Sequence, residues 1–280
     1  SGSQQISVIF AALLGLMLNQ WLGKGQVTDW GWRIPFIIGC MIVPFLFYIR
    51  RMLEETESFQ QRKHRPGMTE IMRSVASNWA LVLAGMLMVV TTTVMFYMIT
   101  AFTPTFGKTV LMMTDHQSFM VTLLVGVSNL FWLPVMGTLS DRIGRRPLLI
   151  TFTLLTMLTA WPVLKWMVAA PSFGHLLTAE LWLSFLYASY NGAMVVYLAE
   201  IMPAEVRAAG FSLAYSLATA LFGGFTPAVS SYLIHTTGDK SMPGAWLTFA
   251  GCCGLVGTLC IGYLVRRYQQ KKAAGPLHSM

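Results

Sequence analysis

The stretch Gly137-Thr138-Leu139-Ser140-Asp141-Arg142-Ile143-Gly144-Arg145-Arg146-Pro147 is polar and basic, and a long apolar run meets it on each side, roughly 117–138 and 148–168. A helix needs about 20 mainly apolar residues to cross the hydrocarbon core of a bilayer. Both flanking runs reach that length. The stretch therefore reads as a tight turn joining two transmembrane helices. Working outward, six more runs of similar length fall at roughly 4–22, 33–49, 80–103, 176–199, 208–234 and 246–267. The expected fold class is an all-α polytopic membrane protein of about eight transmembrane helices.

Bulk composition agrees. Of 280 residues, 55% are hydrophobic and only 11% charged, against about 25% charged in an ordinary soluble domain. Mean hydropathy is +0.60. The net charge of +8 would suit nucleic acid only if the cations formed a face or stripe. Here they sit in short loops between apolar runs, which is a topology signal and excludes a nucleic-acid partner. The lipid bilayer is the partner implied. The four cysteines Cys40, Cys252, Cys253 and Cys260 lie inside apolar runs without metal-ligand spacing to His. They read as small buried hydrophobes, and neither a metal nor a cofactor is expected.

Loop charges orient the chain. Lys and Arg in 50–79, 139–147, at Arg207 and in the C-terminal tail number 14, against five on the opposite side. The positive-inside rule puts the first set, and both ends of the chain, in the cytoplasm. Only the 50–79 connection is long. It divides residues 1–49, two helices, from residues 80–267, six helices, with a tail at 268–280. The opening Ser-Gly-Ser-Gln-Gln carries no initiator Met or basic n-region, as expected of a truncated start.

The quoted turn resembles the G-x-L-x-D-R-x-G-R-R loop signature of the major facilitator superfamily. A second stretch, Glu200-Ile201-Met202-Pro203-Ala204-Glu205-Val206-Arg207-Ala208-Ala209-Gly210, resembles that family's E-x-x-P-x-x-x-R-x-x-G pattern between helices 10 and 11. A third, Trp30-Gly31-Trp32-Arg33-Ile34-Pro35-Phe36, is similar to the outer end of helix 6 in its metabolite:proton symporter branch. Segments 96–111, 190–200 and 211–227 look most like the bacterial citrate and tricarballylate proton symporters. The resemblance covers nearly the whole chain. It implies a major facilitator fold with about eight of twelve helices present, starting near helix 5. It also implies proton-coupled symport of citrate or a related tricarboxylate across the inner membrane. Shikimate, 2-oxoglutarate, and proline or betaine are alternative solutes of the branch. Helices 1–4, with half of the cavity, would lie outside this chain, so these residues alone are not expected to transport.

The resemblance assigns Gly137, Asp141, Arg142, Gly144, Arg145, Arg146, Glu200, Pro203 and Arg207 to a conformational switch. Asp141 can accept from Arg side chains or from a helix N-terminus, where negative charge is favoured. Glu200 or Glu205 can pair with Arg142 or Arg145 across the bundle. A basic turn that only fixes topology, or a static charge cluster, is the alternative.

A substrate site should lie near the bilayer midplane between the two halves. Polar residues recur at helical spacing in three spans: Thr93, Tyr97 and Thr100; Tyr187, Tyr190 and Asn191; and Ser212, Tyr215, Ser216 and Thr219. Asn129 sits mid-span. Together they suggest a hydrated cavity for a small carboxylate and a proton; singly, each can serve as an interhelical hydrogen bond. Arg33 can clamp a carboxylate bidentately, or anchor at the headgroups and pair with Asp29. Lys108 could draw anions to the entrance, and Lys165 suits snorkelling. Glu180 and His235 are weaker candidates as proton carriers, and the principal carriers are expected in helices 1–4.

Other classes find less support. No span carries H-E-x-x-H, G-x-S-x-G or a buried Asp pair, so an enzyme is not expected. There is no G-x-x-x-x-G-K-[ST] for nucleotide-driven transport. The tail is too short for a signalling domain, and no obligate protein partner is predicted.

Overall fold

The computed structural model describes residues 2–52, 68–202 and 207–274, and all the regular structure among them is helical. The helices are α1 Gly2–Trp21, α2 Val27–Met52, α3 Met68–Ser77, α4 Trp79–Thr109, α5 Asp115–Ile143, α6 Arg145–Ala169, α7 Phe173–Ile201, α8 Arg207–Thr237 and α9 Pro243–Ala274. All but the short α3 are long and apolar enough to cross a membrane, which makes eight. Each of the eight expected apolar runs has its helix. Several helices run past them: α2 begins at Val27, α4 ends at Thr109 and α9 runs on past Arg267 to Ala274, because helical geometry need not stop where the apolar run does.

Local chemistry sets several of the ends. Thr114 caps α5 in a full capping box with Gln117. Its hydroxyl accepts from the Gln117 N–H, and the Gln117 side chain accepts from the Thr114 N–H in return. Ser172 caps α7 by accepting from the His175 amide. Between α5 and α6 the whole turn is Gly144, at φ 100. A side chain there would be strained, so glycine is what lets the two spans reverse within one residue.

Three spans carry a π-helical turn, at Val27–Gly31, Met98–Phe102 and Thr219–Gly223. Such turns carry an extra residue, re-aim the side chains that follow, and are frequent at functional sites. The last packs on α4 just before that helix's own π-helical turn. Gly223 on α8 lies so close to Thr93 and Tyr97 on α4 that a Cβ there would come within 2.9 Å of both.

The centre of the bundle is α4, where 72% of residues in the apolar stretch are buried. It packs on α9, α8 and α7; α9 also packs on α6, and α7 on α5 and α6. The α4–α9 seam is closed by small residues and by Thr91, whose hydroxyl donates to the Ala250 carbonyl at 2.6 Å. Helices in lipid lack a hydrophobic drive to associate, so close backbone approach and hydrogen bonds of this kind hold them.

The first two helices behave differently. α1 lies antiparallel along α5, with Gly15 beneath Phe119, Gly126 beneath Ile9, and Gln5 bonded to Asn129. Helix Arg33–Met52, by contrast, has no buried residue, and Phe36, Met41, Phe45 and Phe47 project outward. That surface suits lipid tails or further helices. Cys40 and Cys260 are also exposed, which corrects the expectation that all four cysteines are buried. On a membrane span the outer face is itself apolar, so an apolar residue there needs no protein cover.

Candidate functional site

Two adjoining cavities open between α1 and the α4–α5 pair. The larger, about 730 Å³, has Asn19, Thr28, Pro104, Lys108, Asp115 and Ser118 on its wall. The smaller, about 280 Å³, lies deeper and is walled by Ala12, Phe96, Tyr97, Thr100, Pro104 and Thr122 among others. Pro104 and Phe119 belong to both. The helix spacing that singled out Tyr97 and Thr100 has its cause here. The π-helical turn Met98–Phe102 begins just after Tyr97 and carries Thr100 within it, and both residues are on the cavity side of α4.

A polar cluster closes the inner end of this cleft. The Asn129 amide donates to Gln5 Oε1 at 3.1 Å, and the Ser184 hydroxyl donates to Asn129 Oδ1 at 2.7 Å. All three side chains are buried. Tyr187 stands beside Gln5 and near Tyr215, which in turn is near Tyr97. The Asn191 amide donates to the Tyr187 hydroxyl at 3.3 Å. Of the residues expected on four separate helices, Asn129 and Tyr187 thus meet the side chain of one residue from α1, with Tyr215 and Tyr97 following on from Tyr187. Sequence reading missed Gln5 and Ser184. Gln5 sat in the opening read only as a truncated start, and Ser184, three residues before Tyr187 on the same helical face, was left off the stripe.

Other expected site residues lie elsewhere. Tyr190 points into the α4–α9 seam, where its hydroxyl donates to the Met88 carbonyl at 3.0 Å. Thr93 is buried and donates to the Val89 and Val90 carbonyls of its own helix. Arg33 lies on the outer side of α2, stacked 4.5 Å from the Trp32 ring centre. It donates to the Asp29 backbone carbonyl at 2.8 Å, so its contact with Asp29 is to the main chain. It is not among the residues lining either cavity. Ser212, Ser216 and His235 are exposed on the bundle surface. Lys108, on the wall of the larger cavity, is paired with Asp115 at 2.9 Å.

The basic turn lies at the other end of the bundle. Arg145 is held between two acids, with Nη2 2.9 Å from Asp141 Oδ1 and Nη1 2.8 Å from Glu200 Oε1. The second contact is an ion pair without hydrogen-bond alignment. Arg145 is 18% exposed and the two acids 62% and 56%. One cation therefore ties the α5–α6 turn to the end of α7. Above it Gly137 and Gly192 let α5 and α7 cross in backbone contact, since a Cβ on Gly192 would come within 3.1 Å of the Gly137 nitrogen. The Arg146 guanidinium packs over Gly262 of α9, leaving no space for a side chain there. Arg207 Nε donates to the Met202 carbonyl at 3.3 Å, and Arg142 is exposed. Pro203 and Glu205 lie outside the described residues.

Comparison with known families matches residues 1–215, and again 117–279, to the Major Facilitator Superfamily. The chain belongs to the major facilitator superfamily. Among individual relatives, it is 57% identical to the citrate-proton symporter of Klebsiella pneumoniae over 267 residues, covering 95% of this chain and 60% of that protein. It is 55% identical to the citrate-proton symporter of Salmonella typhi, over 92% of this chain and 59% of that one. The proline/betaine transporter of Escherichia coli (strain K12) is 26% identical over 89% of this chain and 51% of its own length. The chain thus spans about 60% of the length of the citrate symporters it matches. Among major facilitator proteins it is a multi-pass membrane chain with eight candidate spans.

Proposed function

We propose that the whole protein is a secondary active transporter that carries citrate or a similar tricarboxylate inward with protons across the bacterial inner membrane. The observation that carries the reading is the cleft between α1 and α4–α5, lined by Tyr97, Thr100 and Thr122 and closed by the Gln5–Asn129–Ser184 bonds. A hydrated site walled by helices of two bundles is what alternating access requires. The 55–57% identity to citrate-proton symporters supports the choice of substrate.

In this reading residues 1–49 belong to one bundle, 80–267 form the other, and 50–79 is the cytoplasmic connection. Both ends of the chain lie in the cytoplasm. The cavity mouth at Lys108 then faces outward, and the Asp141–Arg145–Glu200 cluster faces inward. Lys108 can exchange its Asp115 partner for an incoming carboxylate, while hydroxyls deeper in the cleft hold the substrate. Rocking of the bundles separates α1 from α5 at one end and remakes the charge contacts at the other. Two carboxylate groups of the substrate remain for cations outside this chain. Catalysis of a covalent step is not part of the reading.

A second reading draws on the rings Phe96, Tyr97, Tyr187 and Tyr215 beside the cavity. Aromatic faces bind quaternary ammonium groups, so a betaine would also find a surface there. Labelled citrate uptake by the whole protein, with and without a protonophore, separates the two. The expected result is uptake that the protonophore abolishes and tricarballylate blocks, with betaine inert. Betaine uptake in place of citrate would overturn the substrate assignment.

A further inference from the structure

We propose that Glu180 on α7 is a proton-binding site of the six-helix bundle, loaded from the larger cavity through the Thr103–Ser118 wall; this rests on the proton-coupled reading above. Glu180 is the carboxylate lying well inside a described span, about two turns along α7. It is 3% exposed, and its Oε2 has no hydrogen-bond partner. No ion pair reaches it among the described residues. Intramembrane ionisable groups are costly unless they serve a pathway.

The register of α4 against α7 fixes what surrounds it. Leu176 packs over Gly107, and Phe96 meets Tyr187 at 5.9 Å between ring centres. Between those two contacts the antiparallel pairing sets Thr103 opposite Glu180, and the Thr103 hydroxyl faces its carboxyl. Thr103 directly follows the π-helical turn Met98–Phe102, and its own hydroxyl bonds back to the Met98 carbonyl at 3.1 Å. Its chain neighbour Pro104 lines both cavities. One turn toward the mouth, Ser118 of α5 reaches Gly107 and also lines the larger cavity, with its hydroxyl unpartnered. The acid is thus separated from the cavity by a thin wall that carries two hydroxyls, and a π-helical turn lies beside it.

The charged and titratable groups at this end of the neighbouring helices are otherwise occupied or exposed. Lys108 of α4 and Asp115 of α5 pair with each other. His116 on α5 and Lys165 on α6 are exposed. His175, on α7 itself, contacts Ser172 at 2.6 Å and stacks on Trp166. None balances a charge on Glu180, so the carboxylate must acquire a proton whenever the site is closed to water. The step is simple: a hydronium ion in the cavity breaks one O–H bond and gives its proton to the Glu180 carboxylate, leaving water, and the new carboxyl O–H bond breaks when the group is exposed on the other side, passing the proton to water there.

The test uses the whole protein in proteoliposomes, with E180Q and E180D. Two readouts are compared for citrate: exchange across the membrane without a gradient, and uphill accumulation with the accompanying rise in external pH. Glu180→Gln is expected to lose accumulation and the pH rise while still exchanging citrate, and Glu180→Asp to restore both. Uphill accumulation by E180Q with the wild-type pH rise would overturn the proposal. Loss of exchange together with accumulation would also overturn it, since Gln fills the same space and a packing role would then explain the effect. A wild-type protein that moves citrate without protons would sink the symport reading instead, and it is recognised before either variant is measured.

Discussion

Replacing Arg145 by Ala is expected to lower substrate uptake by about tenfold or more while the protein remains folded in the membrane. Among the described residues, the Arg145 guanidinium joins Asp141 of α5 to Glu200 of α7. With Arg145 gone, both carboxylates lose the cation they share. Coupling energies in two-state proteins are typically about 1–3 kcal/mol, or about 5–150-fold in an equilibrium constant. Exposed ion pairs contribute little to stability, with a median of about 0–1 kcal/mol, so the loss should fall on the balance of states. Uptake rate and the amount of detergent-extracted, monodisperse protein are measured together. A charge reversal sharpens the test: Arg145→Glu with Glu200→Arg should recover part of what either change alone removes. Equal uptake by Arg145→Ala and wild type would show that the cluster is a passive surface feature.

The second large effect is structural. Gly257→Ala is expected to destabilise the bundle by about 1–3 kcal/mol, the usual cost of overpacking. A Cβ there would lie 2.7 Å from the Ala84 carbonyl oxygen and 2.9 Å from the Met88 nitrogen. Both are main-chain atoms of α4, which cannot swing aside as a side chain could. The α4–α9 seam would have to open along its length, and with it the Thr91–Ala250 bond and the Tyr190–Met88 bond. Gly39→Ala is the matched control, because nothing lies within 4 Å of a Cβ at that position. Thermal unfolding in detergent should show a clear drop for Gly257→Ala and none for Gly39→Ala. Equal stability of the two variants would show that α4 and α9 do not approach this closely.

What the sequence discloses follows from which forces are periodic. Apolar runs long enough for a bilayer must be contiguous in sequence, so all eight spans could be read directly. The basic turn was legible for the same reason, since Gly137, Asp141, Gly144 and Arg145 act within one short segment. Its partner Glu200 was anticipated because it ends a neighbouring span. The cavity was harder. Helical spacing picked out Tyr97 and Thr100, which line the smaller cavity, and Tyr187 and Tyr215 nearby, but spacing does not say which polar face meets water and which meets another helix. Tyr190 is only three residues from Tyr187, yet that rotation is enough to turn it away from Gln5 and into the α4–α9 seam. Ser212 and Ser216 shared the stripe of Tyr215 and are exposed. Gln5 carried no signal at all, because its role depends on α1 lying against α5, a contact between residues 124 positions apart. The π-helical turns are equally silent in sequence, and they shift every side chain after them.

The measurement that bears most directly on the whole account is thiol accessibility in the cleft. A cysteine is placed at Thr100 in the whole protein after replacement of Cys40, Cys252, Cys253 and Cys260, and a membrane-impermeant thiol reagent is added from outside with and without citrate. If the cleft between α1 and α4–α5 is the substrate path, Thr100→Cys reacts, and citrate protects it in a concentration-dependent way. Labelling at the same rate whether or not citrate is present would contradict the account.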